Sequence, residues 1–286
     1  MNLNFIEVEE IVRRALSEDI GTGDITTALT IPGDSVSRAQ IIMKEDGVIA
    51  GLEVAALVFG FTANSYSAFG QELEFTLIAE EGSRVRVGDA VAEITGMTAA
   101  ILTGERTALN ILQRMSGIAT QTARLVELIS HTGAAIVDTR KTTPGLRTLE
   151  KYAVRTGGGR NHRMGLYDAV LIKDNHIAAV GGIAAAIERA RAGVSHTVKI
   201  EVECDTIDQV EQALEAGADM ILLDNMSPDT LGKAVEICEG RALTEASGGI
   251  TEESIVAVAE TGVDLISVGA LTHSVRALDI SLEIAD

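Results

Sequence analysis

From about residue 134 the chain alternates between short apolar runs and amphipathic stretches. The runs are "AAIVDT", "AVLIKD", "VKIEVE", "MILLDN", "ALTEAS" and "LISVG". Each is strand-length and rich in apolar, β-forming residues. Between the later runs lie "IDQVEQALEAG", "DTLGKAVEICEG" and "EESIVAVAETG", which carry helical spacing. "EAGADMILLDN" and "ETGVDLISVGA" are near repeats of helix end, glycine cap and strand. Strands alternating with helices predict βαβ units and a parallel sheet, hence an α/β fold. Six strands, not eight, favour an incomplete parallel α/β barrel over residues 113–274, with an open doubly wound sheet as the alternative.

Residues 1–112 have another rhythm. "SRAQIIMKEDGVIAG" and "ELEFTLIAEEGSRVRVGDAVAEITG" predict short strands and turns of an N-terminal sandwich domain. "GSRVRVGDAVAEI" resembles the half-barrel of biotinyl and lipoyl carriers, but no lysine stands at the hairpin tip that such a carrier modifies. "GERTALNILQRMSGIATQTARLVELIS" reads as helices leading to the barrel. In the tail, residues 275–286, Leu278, Ile280, Leu282 and Ile284 alternate with polar neighbours. That predicts a half-buried strand returning to the N-terminal sheet.

Composition narrows the classes. With 3% aromatics and no Trp, the core must be built from Ala, Val, Ile and Leu. A net charge of −19 argues against a nucleic-acid surface and leaves halophily open. Cys204 and Cys238 are too few for a disulfide framework and lack zinc spacing, which points to a reducing cytoplasm. The start has no basic region followed by an apolar one, and "GLEVAALVFGFTA" is too short to span a bilayer.

Against this acidic background residues 140–173 carry eight basic and two acidic side chains, a net +6. Crowded cations repel one another and call for an anion. Lys151 and Arg155 are i,i+4 neighbours that fit a solvated helix face. Arg140 and Lys141 follow the first strand and Lys173 ends the second, where α/β folds bind ligands. "GGGRNHRMG" adds His162 and Arg163 on a glycine-rich loop. In "VKIEVEC" Lys199, Glu201 and Glu203 share one strand face, which points them into a polar cavity or marks an exposed edge. Asp224 ends the next strand. Carboxylates beside cations suit Mg²⁺, sugar hydroxyls or a developing positive charge, or else plain salt bridges. "EASGGI" and "SVGALTHS" end the last two strands in paired small residues, a phosphate grip, and "TEES" fits a helix cap. These residues describe a pocket for a sugar phosphate and a second, multiply anionic partner.

The strings "EDIGTGDITT", "GERTALNILQRMSGIAT", "DTRKTTPGLRTLEKYAVRTGGGRNHRMGL", "LIKDNH", "EVEC", "LLDN", "EASGGI" and "GVDLISVGALTHS" run in order from residue 18 to residue 274. Together they resemble the quinolinate phosphoribosyltransferase (decarboxylating), or nicotinate-nucleotide pyrophosphorylase, family. The resemblance implies an N-terminal α/β sandwich, an incomplete α/β barrel and a head-to-tail homodimer with shared sites. It implies Mg²⁺ and a place in NAD biosynthesis. It also implies that quinolinate is held by Arg140, His162 and Arg163, with Arg106 from the neighbouring subunit. Lys141 and Lys173 would serve the anions at the reacting centre, and Glu203 and Asp224 the ribose and metal. Thr139, Ser247, Gly248, Gly249, Val268, Gly269, Ala270 and His273 complete the implied substrate positions, with Ser247, Gly248, Gly249, Gly269 and His273 around the 5′-phosphate. Two rivals stay open at this point: a Schiff-base aldolase using Lys173 or Lys199, and a phosphate-sugar binding protein of the same framework.

Overall fold

The computed structural model describes residues 3–66 and 73–285. In chain order the elements are α1 (Phe5–Ile20), α2 (Ile25–Thr30), β1 (Val36–Met43), β2 (Gly47–Val48), α3 (Leu52–Ser65), β3 (Glu74–Leu77), β4 (Arg84–Val85), β5 (Ala90–Met97) and α4 (Thr98–Leu128). There follow β6 (Ala135–Val137), α5 (Arg147–Thr156), β7 (Val170–Ile172), α6 (Asp174–Val180), α7 (Ile183–Gly193), β8 (Ile200–Cys204), α8 (Ile207–Glu215) and β9 (Met220–Asp224). The last are α9 (Pro228–Cys238), β10 (Leu243–Ser247), α10 (Ile255–Ala259), β11 (Leu265–Ser267), α11 (Ala270–His273) and β12 (Ile280–Ile284). Glu72, which opens one of the predicted strand stretches, lies outside the described residues.

The chain forms two units. The first gathers Met1–Ala123, Thr142–Gly158 and Ser274–Asp286. Its four-stranded antiparallel sheet has the order β12-β1-β5-β3, and β2 and β4 pair separately. The tail strand β12 runs antiparallel to β1 from Ala39↔Ile284 to Met43↔Ile280. Helix α1 buries Val8, Val12 and Leu16, spaced by four on one face. The N-terminus of α3 is held by Glu81, whose carboxylate accepts from the amides of Gly51 at 2.7 Å and Leu52 at 3.1 Å. Phe59 stacks on Phe75 with ring centroids 5.9 Å apart. Ile41, Met43, Ile94, Leu109 and Leu112 complete an aliphatic core. Relative to a boundary at 112/113, the end of α4 within this unit and all of α5 fall on the first unit's side. Where helices were expected, α4 is one continuous helix of 31 residues.

The second unit holds Arg124–Lys141 and Gly159–His273. All six expected strands are present, and every pairing among them is parallel. Their order is β6-β11-β10-β9-β8-β7. This is a barrel order broken between β6 and β7, since β6 neighbours the last strand instead of the next one. The free side of β6 takes a single parallel bridge, Val137↔Arg160. Ile136, Val137, Ile172, Ile200, Val202, Ile221, Leu223, Ala246 and Ile266 are buried. The repeated helix-to-strand turn follows its glycine signal: Gly217 and Gly262 have φ +80° and +89°. The expected cap at "TEES" is formed in part, the Thr251 carbonyl accepting from the Ile255 amide at 3.0 Å. Ser254 caps no later amide, but its hydroxyl accepts from the Thr251 amide at 3.0 Å, the reciprocal half of a capping box.

Candidate active site

The carboxyl ends of the six parallel strands carry most of the singled-out residues. Thr139, Arg140 and Lys141 follow β6, Lys173 follows β7, Glu203 lies near the end of β8 and Asp224 ends β9. Ser247 ends β10 and leads into Gly248 and Gly249, while Val268, Gly269 and Ala270 follow β11. Parallel register sets them level, with Glu203 opposite Leu222 and Asp224 opposite Ser247. Arg106 belongs to the first unit. It is exposed on α4, well inside the helix and not in its first turn.

The cations are arranged individually. The Thr139 hydroxyl accepts from the Lys141 amide at 3.0 Å, and Thr272 donates to the Lys141 carbonyl at 2.9 Å. A Cβ at Gly269 would sit 3.1 Å from Lys141 Cδ and 3.3 Å from His273 Nε2. Glycine thus lets Lys141 and His273 converge beside open backbone. Arg163 donates to the Ala169 carbonyl at 3.1 Å. Burial pushes its guanidinium pKa down, and neighbouring Arg140 pushes it further, against the pull of Glu201 and Asp168. Two guanidiniums set close enough to repel describe a seat for an anion. The remaining cations of the +6 segment divide: Arg147 bonds Thr142, Arg155 lies over the Tyr152 ring, and Lys151 is buried in α5, not solvated as expected.

The carboxylates form two groups. Glu203 is paired with Lys173 Nζ. Asp224 accepts from the Asn225 side chain at 2.6 Å. Asn225 takes φ +54°, and its amide donates to the Ser247 carbonyl at 2.9 Å. Gly248, at φ +97°, packs so close that a Cβ would meet Asn225 Oδ1 at 2.2 Å. Only glycine allows these two strand-end loops to touch. Lys199 precedes β8 and is exposed, so the expected charged face begins at Glu201.

Glu201 belongs to the second group, part of which sequence reading missed. Its oxygen lies 3.0 Å from His162 Nε2, and Glu245 of β10 lies 3.7 Å from the same nitrogen. Asp138 fixes the loop that brings His162 in, accepting from the His162 amide at 2.9 Å and from the Asn161 side chain. His162 Nδ1 accepts the Arg163 amide at 2.7 Å, which leaves the hydrogen on Nε2, facing Glu201. The three side chains have the proximity of a metal site. A metal on Nε2 would place an Nδ1 hydrogen against that amide, so the tautomer opposes one. Burial, then Glu201, raises the Glu245 carboxyl from its ordinary 4.5 to about 7. Neither Glu245 oxygen nor Glu201 Oε1 has a hydrogen-bond partner. The signal in the sequence was a glutamate inside the apolar run "ALTEAS", and likewise the aspartate of "IVDT".

Comparison with known proteins agrees along the chain. The family model for the quinolinate phosphoribosyl transferase N-terminal domain matches residues 24–116, and that for the C-terminal domain matches residues 118–283. A probable nicotinate-nucleotide pyrophosphorylase [carboxylating] of Bacillus subtilis is 46% identical, covering 99% of this chain and 95% of its own. The nicotinate-nucleotide pyrophosphorylase [carboxylating] of Mycobacterium leprae is 44% identical, covering 98% of each chain. The solved structure of the Francisella tularensis nicotinate-nucleotide pyrophosphorylase superimposes with a TM-score of 0.93 at 42% identity, covering 99% of this chain and 98% of that one. The chain belongs to the quinolinate phosphoribosyltransferase family.

Proposed function

We propose that this chain transfers the phosphoribosyl group of 5-phosphoribosyl 1-pyrophosphate to quinolinate with loss of CO₂. The products are nicotinate mononucleotide and pyrophosphate, a step of de novo NAD biosynthesis. The observation that carries the reading is the gathering of Arg140, Arg163 and Lys141 with Lys173–Glu203 and Asp224 at the carboxyl ends of one parallel sheet. Arg140 and Arg163, with His162, hold the two carboxylates of quinolinate, and the planar guanidinium fork suits a carboxylate better than an ammonium does. The pyridine nitrogen attacks the anomeric carbon as pyrophosphate departs. Glu203 stabilises the positive charge that develops on the sugar, while Lys141 and Lys173 stabilise the leaving group. Ser247, Gly248, Gly249, Gly269 and His273 seat the 5′-phosphate, with the backbone of Val268 and Ala270 beside it. The quaternised ring then draws in the electrons of the breaking C2–carboxylate bond.

Glu203 and Asp224 stand at the ends of neighbouring strands, a donor set that fits Mg²⁺, which takes one or two carboxylates together with substrate phosphates. When bound there, Mg²⁺ would neutralise pyrophosphate charge. The ion pair of Lys173 with Glu203 opposes an imine-forming amine, which must be free to attack. Among the described residues no helix is long and apolar enough to cross a membrane, and both cysteines are free, which suits a cytoplasmic enzyme. Formation of nicotinate mononucleotide and CO₂ from the two substrates tests the reading, and binding without turnover would overturn it in favour of a sensor.

The working unit of this reading is a head-to-tail homodimer in which Arg106 crosses to the neighbouring subunit's quinolinate. Arg106→Ala and Lys141→Ala homodimers should each be nearly inactive. After co-refolding, about half the dimers are mixed and each has one intact site, so activity returns to about a quarter of wild type. A mixture as inactive as its parents, with heterodimers verified, places Arg106 in its own subunit's site.

A further inference from the structure

We propose that Glu245 is a positioning residue for the dicarboxylate substrate, acting as a neutral acid behind His162 so that the imidazole pairs with Glu201 alone beneath the anion seat. The inference rests on the function proposed above. The geometry is a buried triangle: His162 Nε2 lies 3.0 Å from Glu201 and 3.7 Å from Glu245, and all three groups lie deep in the second unit. One imidazole N–H can serve one carboxylate well, and it serves Glu201. Glu245 is left with two buried oxygens that make no hydrogen bond, because the nearby Ser267 hydroxyl donates to the Ala246 carbonyl at 3.3 Å. A carboxylate in that state is costly, whereas the acid form carries no charge to compensate.

The groups facing Glu245 leave it little alternative. Glu201 from β8 and Asp138 just after β6 are both acidic and raise its pKa. His162 from the 159–169 loop and the Ser267 hydroxyl from β11 lower it, by less than burial and Glu201 raise it. From β9 its register partner is the apolar Leu222. No lysine or arginine stands among these groups. Ionising Glu245 would therefore place a second negative charge behind His162. His162 would be drawn toward two carboxylates, and the seat for a substrate with two negative charges would become less positive. Glu245 thereby sets the upper pH limit for quinolinate binding without touching the reacting atoms.

The test compares wild type with Glu245→Gln, which keeps the shape of the acid and cannot ionise. At saturating phosphoribosyl pyrophosphate, the wild-type KM for quinolinate should rise above pH 7 by about threefold or more before any lysine titrates. Glu245→Gln should hold at pH 8 the KM that wild type has at pH 6. Parallel KM profiles in the two proteins would overturn the proposal. Two readouts work without turnover and so separate failure of this inference from failure of the functional reading. At pH 6 the infrared difference spectrum between the two proteins should contain one protonated-carboxyl band, and its absence overturns the proposal. Thermal stability supplies the second. In the folded chain Glu245 keeps its proton up to about pH 7, and in the unfolded chain only to about 4.5. Its contribution is therefore fullest below pH 4.5 and is lost as pH rises through 7. The Tm of Glu245→Gln should gain on wild type between pH 5 and pH 8, and equal slopes would count against the neutral acid.

Discussion

Two buried glutamates, one in each unit, have opposite surroundings. Glu150 on α5 is 1% exposed and its oxygens are supplied with donors. Arg114 gives two hydrogen bonds, at 2.8 and 2.6 Å, and the Thr143 amide gives a third at 3.1 Å. Glu245 on β10 is as deeply buried, and neither of its oxygens makes a hydrogen bond. The first arrangement stores its charge by matching it, and Arg114 also bonds the Thr143 hydroxyl, tying α4 to the start of the α5 segment. The second leaves its charge unmatched and so keeps a proton. A buried charged residue with every bond made is part of the scaffold, and one with bonds missing marks where the molecule meets a ligand or exchanges protons.

This contrast breaks most sharply at Arg114. Arg114→Ala leaves the Glu150 carboxylate buried beside one amide, and should cost about 3–5 kcal/mol of stability, read as a shift in the urea midpoint. A loss below about 1 kcal/mol would class the pair with exposed ones and remove the contrast. The cationic seat should behave the other way. Arg140→Ala or Arg163→Ala should weaken quinolinate binding by roughly 2–5 kcal/mol in calorimetry while barely moving Tm. Unchanged affinity in both variants would mean the two arginines hold something else. Glu203→Gln and Asp224→Asn sharpen the comparison, because these half-buried carboxylates combine a local partner with an open side. Both should melt like wild type and lose about 10²-fold in kcat. Wild-type turnover in both at saturating Mg²⁺ would return them to the scaffold.

The second unit was the more legible in sequence. Its strands are short apolar runs fenced by glycines and acidic residues, so strand and helix periods alternate without overlap, and Arg140, Lys173, Glu203 and Asp224 announce themselves as charges at run ends. Helix α4 was harder, because Gly104 and Gly117 weaken a helical reading. Their reason lies in packing: a Cβ at Gly117 would stand 2.2 Å from the Arg276 carbonyl, and one at Gly104 would press on Phe59 and Thr62. Glycine there admits neighbours distant in sequence. Lys151 looked like a surface charge because i,i+4 spacing says nothing about which helix face is covered. Glu245 could be seen as an oddity in an apolar run, but its character comes from donors that fail to arrive, and that is settled only when β8, β10 and the 159–169 loop meet.

The tail strand β12 has a consequence for the order in which the molecule is made. β1 emerges early in synthesis, yet its outer partner consists of residues 280–284, translated only after the whole of the second unit. Until then β1 can pair on one side only, with β5, and its other backbone edge stays open to any passing strand. The first unit thus cannot be completed until residues 280–284 have been made, and the second unit is encoded wholly within that delay. A stop codon just before residue 280 would spare every strand-end residue of the candidate site and still leave a nascent protein with an adhesive edge. Loss of solubility, not loss of chemistry, would be its first symptom.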